Sequence, residues 1–155
     1  DAVSALLGIC QQADYEAQAA IELEAVVGTP PATAGEITDM AVAETPDGLV
    51  VDPADLIASL VRDVTTGVAP SVSAWRFHVS LARAVRTVAR HVRDTEGVQT
   101  IGLTGGVFQN ALMTTECARS LLEDGFDVLV HRRVPPNDGG LALGQTMIAA
   151  CGGGR

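Results

Sequence analysis

The chain has 155 residues, of which 47% are hydrophobic, and its formal net charge is −9. This length suits one domain with a sizeable core, and no apolar run approaches the ~18 residues that a membrane span requires. All ten basic residues are arginine, which excludes a P-loop lysine, a Schiff-base lysine and a kinase-type ATP lysine within the chain. The acidic balance argues against a nucleic-acid partner, which needs a basic surface to neutralise phosphates.

The cysteines indicate a reduced compartment. Cys10, Cys117 and Cys151 are odd in number and widely spaced, and no C-x-x-C pair is present, so neither a zinc knuckle nor a disulfide framework is supported. We expect free thiols packed as small hydrophobes in a cytoplasmic protein. The chain starts at Asp1 in a helical pattern without a signal-peptide segment, and we expect a piece of a larger protein.

Two helices and a hairpin are predicted in the first third. Residues 1–10 have the apolar spacing of an amphipathic helix, and residues 17–27 predict a second helix. The prolines and glycine of residues 29–35 predict a loop. Residues 36–51 predict a β-hairpin with a tight turn near its middle.

A third helix is expected directly after the hairpin. Asp52 is a suitable N-cap, Pro53 is a suitable first-turn residue, and Gly67 can end the helix. A longer helix follows over about residues 71–94. The stripe expected to face the core in the third helix consists of Leu56, Ile57, Leu60, Val61 and Val64. The longer helix is expected to bury Trp75, Val79, Ala82, Val85, Ala89 and Val92.

Arginines repeat at helical spacing along the longer helix, opposite its apolar side chains. They are Arg76, Arg83, Arg86, Arg90 and Arg93. The pattern is compatible with a basic stripe that binds a partner. We interpret it as a solvated helix face, because charges at this spacing usually face water.

The last third predicts a strand–helix–strand unit. Residues 98–103 and 126–131 have the composition of strands, and residues 108–123 between them have that of a helix. A βαβ unit of this length joins parallel strands, so we expect an α/β fold with a parallel core. Residues 139–150 predict a closing helix.

Two glycine-containing loops follow the predicted strands, TGGVFQN (104–110) and VPPNDGG (134–140). Loops at the carboxyl ends of neighbouring parallel strands line one crevice, so we expect Gly105 and Gly106 to face Asp138 across it. Glycine permits close approach of a ligand, and free N–H groups at helix N-termini attract anions. Together the loops favour a phosphate or a nucleotide. A tight strand–helix turn is the alternative for each loop taken alone.

Two polar side chains in these loops have both a structural and a functional interpretation. Asp138 could cap the last helix, or supply a carboxylate to Mg²⁺ or Fe²⁺. Asn110 could contact a nucleotide or simply lie at the helix start. One carboxylate cannot hold a metal alone, and His78, His91 and His131 are isolated in the sequence. The remaining metal ligands would therefore lie outside the chain.

Three segments carry a family resemblance: LTGGVFQNALM (103–113), HRRVPPNDGGLALGQTMIAA (131–150) and the opening DAVSALLGICQQADYEAQAAIELE (1–24). Together they resemble the HypF-type hydrogenase maturation carbamoyltransferases, in the same order and over essentially the whole chain. The resemblance implies that residues 1–155 form the C-terminal lobe of an actin-like, sugar-kinase-like ATPase domain of the ribonuclease-H-like class. A helical and hairpin part would precede its parallel βαβ core.

The resemblance also implies a reaction and its partners. The complete enzyme would use carbamoyl phosphate and ATP to form a carbamoyl-adenylate. It would then carbamoylate the C-terminal cysteine of a partner hydrogenase maturation protein, a step in cyanide ligand synthesis. By motif position, the nucleotide would contact Asp1, Gln18, Gly105, Gly106 and Asn110. Asp138 would be the one ligand that this lobe gives to a divalent metal, which histidines outside the chain would complete.

Three alternatives remain open at the level of the sequence. The lobe could belong to an antibiotic-type O-carbamoyltransferase or to a tRNA threonylcarbamoyltransferase. The VFQN and PPNDGG motifs and the acidic charge of the chain argue against the tRNA enzyme. It could also be a non-catalytic interaction module. Family members have glycine where this chain has Ala17, whose methyl group is expected to obstruct a positive-φ backbone or a close ligand. We expect the lobe to be inactive by itself.

Overall fold

The structure, a computed structural model, describes residues 1–31 and 35–152. The loop predicted at 29–35 therefore lies partly outside the described residues. Short 3-10 helices at Gly106–Gln109 and Asp138–Gly140 precede the last two helices. In chain order the other elements are α1 (Ala2–Leu6), α2 (Gln18–Ala25), β1 (Ala41–Thr45), β2 (Gly48–Asp52), α3 (Ala54–Thr66), α4 (Pro70–Glu96), β3 (Thr100–Leu103), α5 (Ala111–Glu123), β4 (Asp127–Val130) and α6 (Leu141–Gly152).

The strands form two separate pairs. β1 and β2 are antiparallel, with Thr45 opposite Gly48 across a two-residue turn. β3 and β4 are parallel, with Thr100 opposite Asp127 and Leu103 opposite Val130. Because α5 connects β3 to β4, the predicted βαβ core is confirmed. The α/β fold with a preceding helical and hairpin part is confirmed as well.

The core consists of two clusters that share α4. The first joins α1, α2 and α3 to the first half of α4, and the second joins the rest of α4 to β3, α5 and β4. Of the six side chains predicted to be buried on α4, Val79, Ala82 and Ala89 are buried. Trp75 and Val85 are half-buried against the clusters, and Val92 is half-buried as well. The long helix therefore positions both halves of the molecule.

Several predicted boundaries differ from the structure. α1 ends at Leu6, because Gly8 has a positive φ of 71°. The hairpin begins only at Ala41. α5 begins at Ala111 because Asn110 has extended backbone angles, φ −68° and ψ 112°. The glycine turn therefore leads into a 3-10 helix first, not directly into α5.

The apolar stripe predicted for α3 is wrong for three of its five members. Leu56 and Leu60 are buried, but Ile57, Val61 and Val64 are 38–46% exposed. The third position on the buried face belongs to Asp63. Its carboxylate accepts hydrogen bonds from Ser73 Oγ at 2.9 Å and from Arg76 Nη1 at 2.6 Å, which offset the cost of burying the charge.

The solvated arginine face predicted on α4 is also wrong in part. Arg83 Nη1 lies 3.2 Å from Asp39 Oδ1, just before β1. Arg90 forms a two-bond ion pair with the carboxylate of Asp124, and Arg93 Nη1 donates to the Asp124 carbonyl at 2.9 Å. These arginines therefore tie α4 to the approach of the hairpin and to the α5–β4 turn.

The cysteines and the last helix complete the comparison. Cys10 and Cys117 are buried free thiols, as predicted, and burial raises the pKa of Cys117 to about 11. Cys151 is exposed, which the packing prediction did not anticipate, because no described residue of α6 is buried. None of the described helices combines the length and apolar character needed to cross a membrane.

Candidate functional site

The glycine turn after β3 and the loop after β4 are in direct contact. The Gly105 N–H donates to the Pro136 carbonyl at 2.7 Å. Thr104 Oγ1 lies 3.4 Å from the same carbonyl and 3.0 Å from His131 Nε2. Parallel strands bring their carboxyl ends to one edge of the sheet, so the predicted meeting of the two loops in one crevice is confirmed.

A cavity of about 590 Å³, the Asp138 cavity, lies at this contact. Gly105, His131, Asn137 and Asp138 contribute its polar lining, and α6 contributes apolar side chains. Asn137 Oδ1 accepts the Gly139 N–H at 3.2 Å, so Asn137 provides the cap that the sequence could have assigned to Asp138. Asp138 is exposed. Within residues 1–31 and 35–152 no cluster of three His, Cys, Asp or Glu side chains could hold a metal.

A second cavity of about 530 Å³, the His78 cavity, adjoins the same turn at Gly106. Its polar lining comes from Asp1, Glu24, His78, Gln109 and Asn110, and its walls include Ile21, Leu23, Phe77, Leu81, Val107 and Met113. This volume lies in the range of small-molecule sites. Apolar walls with a few convergent polar groups are also typical of such sites.

Two N–H groups in the first turn of α5 already have side-chain partners. The Leu112 N–H donates to Glu24 Oε1 at 3.0 Å, and the Met113 N–H donates to Asn110 Oδ1 at 2.7 Å. The expectation of open N–H groups at this helix start is therefore wrong for these two donors. Glu24 was not singled out in the sequence, because nothing in the sequence links it to a residue 88 positions away.

His78 lies beneath this cap and is 3% exposed. Its Nδ1 lies 2.8 Å from the Ala74 carbonyl oxygen, and its Nε2 lies 3.1 Å from Asn110 Nδ2. Burial lowers the pKa of His78, against smaller opposite effects of the Ala74 hydrogen bond and the Glu24 charge. No partner was predicted for His78 from the sequence. Its place on the apolar side of α4, near Trp75 in sequence, nevertheless indicated that it is buried.

The predicted nucleotide contacts fall in three places. Asp1, Gly106 and Asn110 line the His78 cavity, and Gly105 lines the Asp138 cavity. Gln18 lies outside the lining of both cavities. Its Oε1 accepts the Asp14 N–H at 2.7 Å, and its Nε2 donates to Glu22 Oε1 at 2.7 Å.

Ala17 stands at the start of α2 with φ 64° and ψ 6°. It is the one non-glycine residue with a positive φ in the described part of the chain. Its methyl group was expected to obstruct such a backbone, yet the chain adopts it. The left-handed conformation costs an L-residue roughly 1–2 kcal/mol. Ala17 also lines the His78 cavity.

We expect Ala17→Gly to stabilise the chain by up to about 1 kcal/mol. Glycine removes the left-handed strain, while the greater freedom of the unfolded chain returns roughly 0.4–1 kcal/mol. Urea unfolding at neutral pH would measure the difference. Ala20→Gly, within α2 and in the same cavity lining, is the control and should destabilise by about 1 kcal/mol. A lower stability of Ala17→Gly would show that Ala17 is not strained.

Comparison with known proteins gives one consistent answer. Residues 1–145 match the family model described as "Carbamoyltransferase, Kae1-like Domain, second subdomain". The chain is 38% identical over 151 residues to carbamoyltransferase HypF of Rhodobacter capsulatus, covering 97% of this chain and 18% of that protein. It is 30% identical over 145 residues to the probable carbamoyltransferase HypF of Methanocaldococcus jannaschii, covering 94% and 18%.

Solved structures agree with these relatives. The chain superposes on full-length HypF in its phosphate- and nucleotide-bound form with a TM-score of 0.85 at 32% identity, covering 96% of this chain and 19% of that one. It superposes on T.kodakarensis HypF with a TM-score of 0.81 at 26% identity, covering 97% of this chain and 19% of that one. The chain thus spans about a fifth of the length of these relatives. It belongs to the family formed by the second subdomain of the Kae1-like domain of HypF carbamoyltransferases.

Proposed function

We propose that this chain is the nucleotide-binding lobe of a carbamoyltransferase that acts in hydrogenase maturation. The observation that carries the proposal is the Gly105–Gly106 turn, in which Gly105 lines the Asp138 cavity and Gly106 lines the His78 cavity. One ligand that spans this turn would reach both cavities. ATP and a carbamoyl-adenylate have the required character, with an aromatic base at one end and charged phosphate at the other, which in the adenylate carries the neutral carbamoyl group.

The linings of the two cavities support one orientation of that ligand. The His78 cavity has apolar walls for the base, and its polar side chains Asp1 and Asn110 can bond the sugar and the base edge. Gly105 and Gly106 have no side chains, so their backbone permits close approach of the phosphates or the carbamoyl group. In this proposal Gln18 acts indirectly, because it bonds Asp14 and Glu22.

Asp138 fits the proposed divalent metal as a single ligand. Its side chain is exposed, and Asn137 makes the capping bond, so the carboxylate is available to Mg²⁺ or Fe²⁺, which accept oxygen ligands. Histidines outside this chain would complete the coordination. Such a metal would neutralise phosphate charge and polarise the carbamoyl carbonyl.

The further parts of the proposal follow from the family. The complete enzyme would take carbamoyl phosphate and pass the carbamoyl group to the C-terminal cysteine of a partner hydrogenase maturation protein, toward cyanide ligand synthesis. A cytoplasmic location agrees with the free thiols of Cys10 and Cys117. The backbone part of the argument for a non-catalytic module does not hold, because Ala17 adopts the positive-φ conformation that its methyl group was expected to obstruct.

We expect the isolated chain to bind ATP with a Kd near or above ~1 mM and to hydrolyse none. An association cost of at least ~4 kcal/mol must be offset first, and a Kd of ~1 mM corresponds to about −4 kcal/mol. Isothermal titration with ATP and Mg²⁺ would measure the affinity. Gel filtration of the same sample would show whether the chain dimerises. Micromolar binding by a monomer, or measurable hydrolysis, would contradict the expectation of an incomplete site.

A further inference from the structure

A series of buried and partly buried hydrogen bonds links the backbone of α4 to the His78 cavity. The Ala74 carbonyl oxygen lies 2.8 Å from His78 Nδ1, and His78 Nε2 lies 3.1 Å from Asn110 Nδ2. Asn110 Oδ1 in turn accepts the Met113 N–H at 2.7 Å. Both His78 and Asn110 line the cavity, so this series ends at the ligand-facing surface.

Each hydrogen bond in the series sets the direction of the next. A carbonyl oxygen only accepts, so His78 Nδ1 carries the proton, and in a neutral imidazole Nε2 is then an acceptor. An acceptor at Nε2 requires the NH₂ end of the Asn110 amide to face it, which leaves Oδ1 for Met113. One amide hydrogen of Nδ2 remains for a ligand in the cavity.

We infer that His78 is a positioning residue, which holds the Asn110 amide in the one orientation that both caps α5 and offers an N–H donor to the bound ligand. The choice of ligand rests on the proposed nucleotide function. The hydrogen-bond series itself is independent of that proposed function. His78 acts through Asn110 and has no assigned contact with the reacting groups.

Protonation of His78 would reverse this order. With protons on both nitrogens, Nε2 would face the NH₂ group as a second donor, so the amide must turn over or move away. The charged groups lining the same cavity are Glu24 on α2 and Asp1 before α1, whereas α5 contributes uncharged Asn110 and Met113. Burial lowers the pKa of His78 below its usual range. The order is therefore complete at neutral pH and lost as the pH falls through that lowered pKa.

The lowered pKa of His78 also determines how the stability of the folded chain changes with pH. The unfolded chain takes up the proton first, near the usual histidine pKa of about 6.5, and the folded chain only at lower pH. Stability from neutral His78 is therefore full above about pH 6.5 and decreases below it. We expect the Tm advantage of the wild type over His78→Gln to shrink between pH 7.5 and 5. His91 and His131 are present in both proteins, so this difference isolates the effect of His78.

The experiment is an NMR titration of the 155-residue chain in three forms. In the wild type, the Asn110 side-chain NH₂ signals and the Met113 amide signal should shift with the same midpoint as the His78 ring. In His78→Gln they should stay fixed from pH 7.5 to 5, because the neutral side-chain carbonyl still accepts from Asn110. His91→Gln, 13 residues further along α4, is the matched control and should behave as the wild type.

Binding is then measured on the same three proteins and on a fourth, His78→Leu, with ATP as the probe. We expect His78→Gln to bind within twofold of the wild type at pH 7.5, and to lack the weakening that the wild type shows once the pH falls below the His78 midpoint measured by NMR. His78→Leu, which has no acceptor, should bind about fivefold more weakly than the wild type at pH 7.5, the effect of roughly one hydrogen bond, and its affinity should not follow the His78 titration.

Two results would overturn the inference in different ways. If the Asn110 and Met113 signals do not move while His78 titrates, His78 does not position the amide, whatever ATP does. If those signals follow His78 but ATP, added far above the ~1 mM Kd expected for this chain, shifts no resonance of either cavity in the wild type, the proposed nucleotide function fails. The part of the inference that gives the Asn110 N–H a nucleotide to bind then fails with it.

Discussion

The Asp138→Asn variant is expected to lose at least ~100-fold in carbamoyl transfer while keeping the stability of the wild type. Because the chain spans about a fifth of its relatives, the assay needs a complete enzyme. Rhodobacter capsulatus HypF with residues 1–155 in place of its own matching segment is suitable. A metal that polarises a carbonyl contributes several kcal/mol, and each 1.36 kcal/mol is tenfold in rate.

The expectation that Asp138→Asn keeps its stability follows from the hydrogen bond that caps the helix start after Asn137. Asn137, not Asp138, accepts the Gly139 N–H, and Asp138 is exposed, so the variant should unfold within about 0.5 kcal/mol of the wild type. Thermal unfolding of the 155-residue chain would measure it. Asp47→Asn, in the hairpin turn, makes the same charge change far along the chain and should leave transfer unchanged. A variant that melts early but transfers normally would indicate a structural role for Asp138 instead.

The Gly105→Ala variant is expected to lose about 2 kcal/mol of stability, or roughly 6 °C in Tm. Gly105 has φ 101° and ψ 163°, a region that is essentially restricted to glycine and costs other residues roughly 1–3 kcal/mol. A methyl group would meet no neighbour within 4 Å, so the loss is one of backbone strain. Relief of that strain would pull the Gly105 N–H from the Pro136 carbonyl and separate the two loops.

Gly106→Ala is the matched control for this experiment. Gly106 lies outside the left-handed φ range, and a methyl group there would also meet nothing within 4 Å. We expect its stability to equal that of the wild type or exceed it by a few tenths of a kcal/mol, because alanine restricts the unfolded chain. Differential scanning calorimetry of the three proteins would separate the two positions. Equal losses of stability in both variants would mean that the turn requires glycine at both positions, and that the conformation of Gly105 has no special role.

Hydrophobic periodicity alone could not orient α3. Leu56, Leu60 and Asp63 share the buried face, and Ile57, Val61 and Val64 share the adjoining face. Both sets recur at helical spacing, so the pattern favours both faces equally. Burial of Asp63 depends on Ser73 and Arg76, which α4 supplies. Whether this carboxylate could be buried was therefore decided by a partner helix.

The sequence by itself determined the parallel βαβ unit, the two glycine loops and their meeting near Asp138. These features follow from local composition and from one rule of connectivity, since parallel strands must end at the same edge. Only the tertiary structure decided how the His78 cavity is built. Glu24 reaches Leu112 across 88 residues and His78 reaches Asn110 across 32, and such side-chain contacts leave no periodic signal in the chain. They exist because α2, α4 and α5 pack together, and that packing is a property of the whole fold.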